Sequence, residues 1–292
     1  MGKDLYEKYD EVKNIYNKVK EITGIDIAKI SFEGPEEDLN KTQNTQLAVL
    51  TESLAILEVL KKNGVKAEMS AGLSLGEYTA LIEDGVFSLE DGVKLVEKRG
   101  EIMQNYTPDG NWKMAAILGL DETTVEAVCE KVDTGFVVPA NYNTIGQIVI
   151  SGEEDAVIKA GEYAKEAGAK KVAILNTAGP FHTSKLTECS KKLKEELDKT
   201  TINAKDSKVV KNIDGKQYTA NDNVAETLAK HIMNPVRFTS CLQTMYDNGI
   251  DTFVEVGPGK TLSAFVKRMK FDGEIGIYNI NSCESLENFA NF

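Results

Sequence analysis

Three residues of this 292-residue chain have the types and settings that chemistry on an acyl group would use: Ser74, His182 and Arg99. Ser74 lies in GLSLGEY, residues 72–78, between two glycines and behind the run VKAEMSA. In a Gly-x-Ser-x-Gly turn the glycines let a strand reverse sharply into a helix, which holds the hydroxyl out at the helix start. A serine hydroxyl needs a base to act as a nucleophile. The chain holds only two histidines, His182 and His231, so the search for an imidazole is short. His182 stands in NTAGPFHTSKL, after a strand and at the mouth of a helix, where α/β proteins commonly carry site residues. Two readings fit it: the base that takes the Ser74 proton, or a loop histidine capping the helix. His231, in VAETLAKHIMNP, shares a helical face with Val224 and Leu228 near the helix end, and reads as a packed core histidine favoured by the helix dipole.

Arg99 carries the sharpest physical signal. At about 100° per residue its angular neighbours are Leu95, Val96, Ile102, Met103 and Tyr106, while Lys94, Glu97, Lys98 and Glu101 take the opposite side. An unpaired buried charge is very costly, so this arginine needs either a buried carboxylate partner or an anionic ligand. Taken together, the three residues suggest acyl transfer onto serine from a donor that bears a negative charge. Ser74 would attack, His182 would move the proton, and the N–H of Leu75 would help hold the oxyanion. Arg99 would grip a carboxylate through two parallel hydrogen bonds.

The elements that must position these residues alternate between helix and strand. Up to Gly64 the chain reads as helical, with DLYEKYDEVKNIYNKVKEITG and NTQLAVLTESLAILEVLKKNG each ending at a glycine suited to a helix stop. The strand KAEMSA, the Ser74 turn and a helix from about Glu77 follow, then a helix through SLEDGVKLVEKRGEIMQNY with Ser88 as its N-cap. Residues 112–177 change rhythm to β-α-β-β-α-β, the ferredoxin-like order, and form a small inserted subdomain. Beyond it, TSKLTECSKKLKEELDKT and VAETLAKHIM are helical, and DSKVVKNI, DTFVEVG and EIGIYNI are strands. Residues 1–111 and 178–292 are therefore expected to build a larger α/β subdomain around a mostly parallel sheet. GPGKT, residues 257–261, lacks the first glycine of a phosphate loop, since Val254 stands there, and reads as a close-packed turn.

Composition narrows the function further. A net charge of −12 argues against a general nucleic-acid binder. No run approaches the roughly 20 apolar residues of a membrane span, and the opening MGKDLYEKYDEVK is no signal peptide. Cys129, Cys189, Cys241 and Cys283 lie far apart without a Cys-x-x-Cys pair, so neither a metal site nor a disulfide framework is expected, and a reducing cytoplasm is the default.

An ordered series of motifs, AGLSLGEYTAL, VEKRGEIMQ, ANYNTIGQIVISG, GPFHTSKL, NPVRFT and VEVGPGKTL, resembles the malonyl-CoA:acyl carrier protein transacylases over essentially the whole chain. The resemblance implies an α/β-hydrolase-like core with a ferredoxin-like subdomain. It also implies ping-pong transfer of malonyl from malonyl-CoA to the phosphopantetheine thiol of acyl carrier protein, in a cytoplasmic monomer without cofactor or metal. By position, Ser74 becomes the acylated nucleophile, His182 its base and Arg99 the anchor of the malonyl carboxylate. The backbone carbonyl at His231 would orient the base, at a position where the family usually has glutamine. Gln46 would line the pocket, and Phe181 would favour malonyl over methylmalonyl. Leu73 departs from the family by replacing the histidine before the serine. The sequence also opens at Met1, where family members carry an upstream apolar strand and a Gly-Gln-Gly-Ala-Gln loop that supplies a second oxyanion N–H. A chain starting there is expected to lose solubility or activity. Carrier docking is expected on Lys191, Lys192 and Lys194 or on Lys267, Arg268 and Lys270, because carrier proteins are acidic. Two other functions compete: an α/β-hydrolase such as an esterase or thioesterase, and a catalytically impaired carrier-binding protein. A hydrolase usually sets several strands before its serine elbow, whereas this region is helical.

Overall fold

The computed structural model describes residues 1–176 and 179–290. Helices α1 (Lys3–Lys8) and α2 (Asp10–Thr23) replace the single helix expected there, because Tyr9 between them is extended at φ −108° and ψ 124°. Gly24 ends α2 in the left-handed region, at φ 73°. The short α3 (Ile27–Phe32) and α4 (Glu36–Leu39) follow, and the sequence reading did not separate them. The long α5 (Thr42–Lys62) is buried on most of its surface, from Leu47 to Leu60, which makes it the central helix of the main core. It packs with α2, α6 (Leu75–Glu83) and α7 (Leu89–Asn105). Ser88 caps α7 as expected, its Oγ accepting the Asp91 N–H at 3.0 Å.

The middle of the chain runs β1 (Trp112–Leu118), α8 (Glu122–Glu130), β2 (Val137–Thr144), β3 (Gln147–Glu153), α9 (Glu154–Glu166) and β4 (Lys171–Leu175). Its strands lie in the order β4-β1-β3-β2 with every neighbour antiparallel. Alternation along β1 sends Ala115 and Ile117 into a core with Val125 of α8 and Val157 of α9. Met114 and Ala116 point to the opposite face, where Phe181 packs on them. The boundary expected between residues 177 and 178 lies outside the described residues.

The remainder supplies a 3₁₀ turn (Ser184–Leu186), α10 (Thr187–Leu197), α11 (Val224–His231), β5 (Val236–Arg237), α12 (Phe238–Asp247), β6 (Thr252–Val256), α13 (Thr261–Met269), β7 (Gly276–Ile280) and α14 (Cys283–Ala290). β5 runs parallel to β2 and ties this part of the chain to the antiparallel sheet. β6 and β7 pair in parallel.

The molecule is thus a mixed α/β protein, but its sheet differs from the expectation. Among the described residues, parallel pairing is confined to β6 with β7, β5 with β2, and a single bridge between Ser70 and Val209. KAEMSA and DSKVVKNI meet only at that bridge instead of forming a ladder. A cavity of about 440 Å³, lined by Leu57, Val65, Met69, Leu242, Phe253 and Val254 among others, separates the first of them from β6. Strands need a hydrogen-bonded neighbour to persist, and on that side this segment has none among the described residues. At Gly257 (φ 113°) an added Cβ would lie 2.4 Å from the Ser53 Oγ, so GPGKT is a close-packed turn against α5. No described helix is long and apolar enough to cross a membrane.

Candidate active site

Ser74 is the N-cap of α6, held at φ 51° and ψ −94°, a sparsely populated positive-φ conformation that costs a non-glycine residue about 1–3 kcal/mol. Gly72 makes the turn possible, since a Cβ there would stand 2.0 Å from the Gly76 carbonyl carbon. An added Cβ at Gly76 would meet nothing, so the two glycines of the motif are not equivalent. The Ser74 N–H donates to Asn212 Oδ1 at 2.7 Å, which pins the elbow from outside the motif. Leu75, the first residue of α6, has an N–H that the helix itself leaves unused.

The Ser74 Oγ lies 2.8 Å from His182 Nε2. On its other side His182 Nδ1 is 3.2 Å from the His231 carbonyl and 3.1 Å from the Asn234 carbonyl. Two carbonyls can only accept, so the proton sits on Nδ1 and Nε2 is left free to receive the serine proton. His182 is buried and also has a positive φ, 58°. Burial, and then the nearby Arg99 charge, push its pKa down to about 4, which keeps the ring neutral near pH 7.

Arg99 is only 3% exposed. Its Nη2 donates to the Ser74 Oγ at 2.9 Å and its Nη1 donates to Gln46 Oε1, while its Nε has no partner among the described residues. The guanidinium carbon stands 5.2 Å over the Tyr78 ring. Among the described residues no carboxylate oxygen comes within 4.0 Å of this guanidinium. Of the two ways to tolerate the charge, an internal ion pair is therefore missing. Leu95, Val96, Ile102 and Met103 are buried as the helical spacing predicts, whereas Tyr106 is exposed. Gln46 is buried and reaches Met103 Sδ at 3.3 Å with its Nε2. Phe181 is half-buried and packs on both the main core and the Met114 face of the antiparallel sheet. Leu73 packs with the Phe238 and Phe265 cluster.

His231 is buried, as a core histidine should be, but it is not bland. Its Nδ1 is 3.4 Å from Glu77 Oε2, and its ring lies 4.9 Å from the His182 ring, tilted by 33°. Glu77 is fully buried and accepts from the Tyr218 hydroxyl at 2.7 Å and from the Asn212 N–H at 3.3 Å. Sequence reasoning missed Glu77, Asn212, Tyr218 and Asn234. For Glu77 a signal existed, because Ser74-x-x-Glu77 has the spacing of a capping box. The Ser74 side chain caps nothing, however, and Glu77 turns inward. The other three have no local pattern and arrive only through the tertiary fold.

The acyl transferase domain family matches residues 1–285 of the chain. Curated relatives share that breadth: the malonyl CoA-acyl carrier protein transacylase of Bacillus subtilis is 41% identical over 271 residues, covering 92% of this chain and 86% of the relative. That of Escherichia coli is 41% identical over 268 residues, covering 91% and 87%. Among solved structures, a malonyl CoA-acyl carrier protein transacylase from Clostridium perfringens superposes with a TM-score of 0.94 at 42% identity, covering all of this chain and 92% of that one. A malonyl-transacylase in complex with its type II PKS acyl-carrier protein superposes at 0.93 with 34% identity, covering all of this chain and 94% of that one. The chain belongs to the malonyl CoA-acyl carrier protein transacylases of the acyl transferase family.

Proposed function

We propose that the chain transfers malonyl from malonyl-CoA to the phosphopantetheine thiol of acyl carrier protein through a malonyl-Ser74 intermediate. One observation carries the reading: a single hydroxyl is contacted by a neutral imidazole at 2.8 Å and by a buried, carboxylate-free guanidinium at 2.9 Å. The Ser74 Oγ attacks the thioester carbonyl while His182 Nε2 takes its proton. The Leu75 N–H donates to the oxyanion of the tetrahedral intermediate. Collapse breaks the C–S bond, and His182 returns the proton to the coenzyme A sulfur. The carrier thiol then repeats the sequence in reverse sense, with its own proton passing to His182 and back to Ser74.

Arg99 turns from Ser74 to the malonyl carboxylate, with Gln46 holding its other nitrogen. That carboxylate also neutralises the Arg99 charge, which adds to burial in depressing His182, so the base strengthens when the correct acyl group is bound. Phe181 bounds the acyl site between the two packed parts of the molecule, consistent with a role in excluding a branched acyl group. We read the frame as an α/β-hydrolase-like core, residues 1–111 and 178–292, carrying a ferredoxin-like subdomain over 112–177. The strand order β4-β1-β3-β2 supports the latter. The working form is a cytoplasmic monomer without cofactor.

Incubation with malonyl-CoA should add one malonyl mass to the peptide that contains Ser74, and holo carrier protein should remove it. Label on another residue, or full activity in Ser74→Ala, would overturn the mechanism. Loss of the label to water without any thiol acceptor would make the chain a hydrolase.

A further inference from the structure

We infer that Glu77 and the side chain of His231 form a buried carboxylate–imidazole pair that stabilises positive charge on His182 while it holds the serine proton. This rests on the reading of Ser74 and His182 above. The known carbonyl contacts orient His182 but supply no negative charge. Glu77 supplies one, at one remove. It sits on the first turns of α6, three residues after the nucleophile, and the His231 ring separates it from the base.

Proton bookkeeping defines the pair. Both Glu77 oxygens face donors, the Tyr218 hydroxyl on Oε1 and the Asn212 N–H on Oε2, and His231 Nδ1 also faces Oε2. His231 Nε2 is buried and has no hydrogen-bond partner among the described residues. A buried N–H without an acceptor is costlier than an underused lone pair, so the His231 proton belongs on Nδ1, which lies 3.4 Å from a Glu77 carboxylate oxygen. The bare Nε2 leaves the ring electron-rich, and the ring lies against His182 at 4.9 Å. When His182 becomes an imidazolium, its charge meets an aromatic face backed by a carboxylate. A buried aspartate in a serine triad does the same by direct contact. Here the backbone carbonyls occupy the contact and the charge acts through the second ring.

The groups that face the pair set its pH response. Arg99, Tyr78, Tyr218, Asp214 and Cys241 act on Glu77, and His182 and Arg99 act on His231. Burial pushes Glu77 up to about 7, against the pull of the Tyr218 and Asn212 donors, so the carboxylate is complete only in mildly alkaline solution.

The test uses the fact that the chain has only two histidines. With ¹⁵N-labelled histidine, the imidazole spectrum at about pH 8 should show His231 as the Nδ1–H tautomer, and Glu77→Gln should shift its nitrogen resonances. In single-turnover acylation of Ser74 by malonyl-CoA, Glu77→Gln and His231→Gln should each slow the chemical step about tenfold, one pKa unit of lost stabilisation, with KM unchanged. The wild-type rate should rise as Glu77 ionises near pH 7, and that limb should vanish in Glu77→Gln. Glu77→Asp should restore part of the rate. An Nε2–H tautomer of His231 in the unaltered protein overturns the pair, as does a folded His231→Gln variant with the wild-type rate and pH profile. Should Glu77→Gln fail to fold, the tautomer and the His231→Gln profile still decide. Absence of any malonyl on Ser74 would instead count against the proposed function, and the tautomer reading is independent of it.

Discussion

At the scale of single residues, the decisive feature is a guanidinium buried without a carboxylate. Arg99 pays its desolvation with three neutral contacts, Gln46, the Ser74 hydroxyl and the Tyr78 face, and none of them matches an anion. In the proposed mechanism the malonyl carboxylate supplies that anion. Because a hydrogen bond to a charged group contributes about 1.5–3 kcal/mol, Arg99→Ala should lower malonyl kcat/KM by about one to two decades. Acetyl-CoA has no carboxylate to lose, so its use should fall less or rise. Arg99→Lys should recover only part of the malonyl rate, since a point charge cannot reproduce a two-pronged grip. The measurement is malonyl against acetyl kcat/KM across the three proteins, and equal losses for both substrates would make Arg99 a structural residue.

At the scale of elements, the site depends on how closely α7 approaches α5. Gly100 follows Arg99 on α7, and a Cβ there would stand 2.6 Å from the Gln43 Cα of α5. Helix propensity alone favours alanine by about 1 kcal/mol, so an exposed glycine would gain from the change. Here overpacking should win, with Gly100→Ala losing about 1–3 kcal/mol in chemical denaturation and also weakening malonyl binding as Arg99 moves. A stabilised variant would show that the helices can part freely. The same α5 buries Glu52, whose two carboxylate oxygens have no hydrogen-bond partner among the described residues. Burial raises its pKa from 4.5 to about 7. The folded state therefore holds a proton that the unfolded chain has released, so its stability falls as pH rises from about 4.5 and the loss is complete above about 7. Glu52→Gln should be more stable than the native chain by about 3 kcal/mol near pH 8 and equal to it below about pH 4.5. Denaturation curves at both pH values check the sign, and a difference that does not change with pH would remove titration as its cause.

At the scale of the whole molecule, a net charge of −12 must admit an acidic carrier protein. The two lysine clusters expected to receive it are not alike. On α10, Lys191 and Lys192 pair with Glu188 and Glu195 of the same helix, and Lys194 pairs with its C-cap Asp198. On and after α13, Lys267, Arg268 and Lys270 are exposed and have no ion pair among the described residues. Reversing Lys267 and Arg268 to glutamate should raise the KM for carrier protein several-fold and flatten its dependence on salt, with malonyl-CoA kinetics unchanged. Reversing Lys191 and Lys194 should do much less. The opposite ranking, or no effect from either, would place the docking surface elsewhere.

Much of this protein is decided by residues near one another in the chain. The 3.6-residue spacing around Arg99 is enough to bury it, Gly24 and Gly64 stop their helices, and the β-α-β-β-α-β alternation from Trp112 to Leu175 sets out one sheet, because each rests on local periodicity or backbone sterics. The motif at Ser74 likewise announces an elbow through Gly72. Sequence proximity could not decide what meets that elbow. His182 comes from 108 positions away and Asn212 from 138, and Asn234 and His231 reach His182 through backbone carbonyls, which every residue type carries and no sequence pattern marks. Nor could it decide that Glu77 turns inward or that KAEMSA forms one bridge instead of a strand. A side chain's partner and a strand's neighbour are long-range choices, set when the core closes around them.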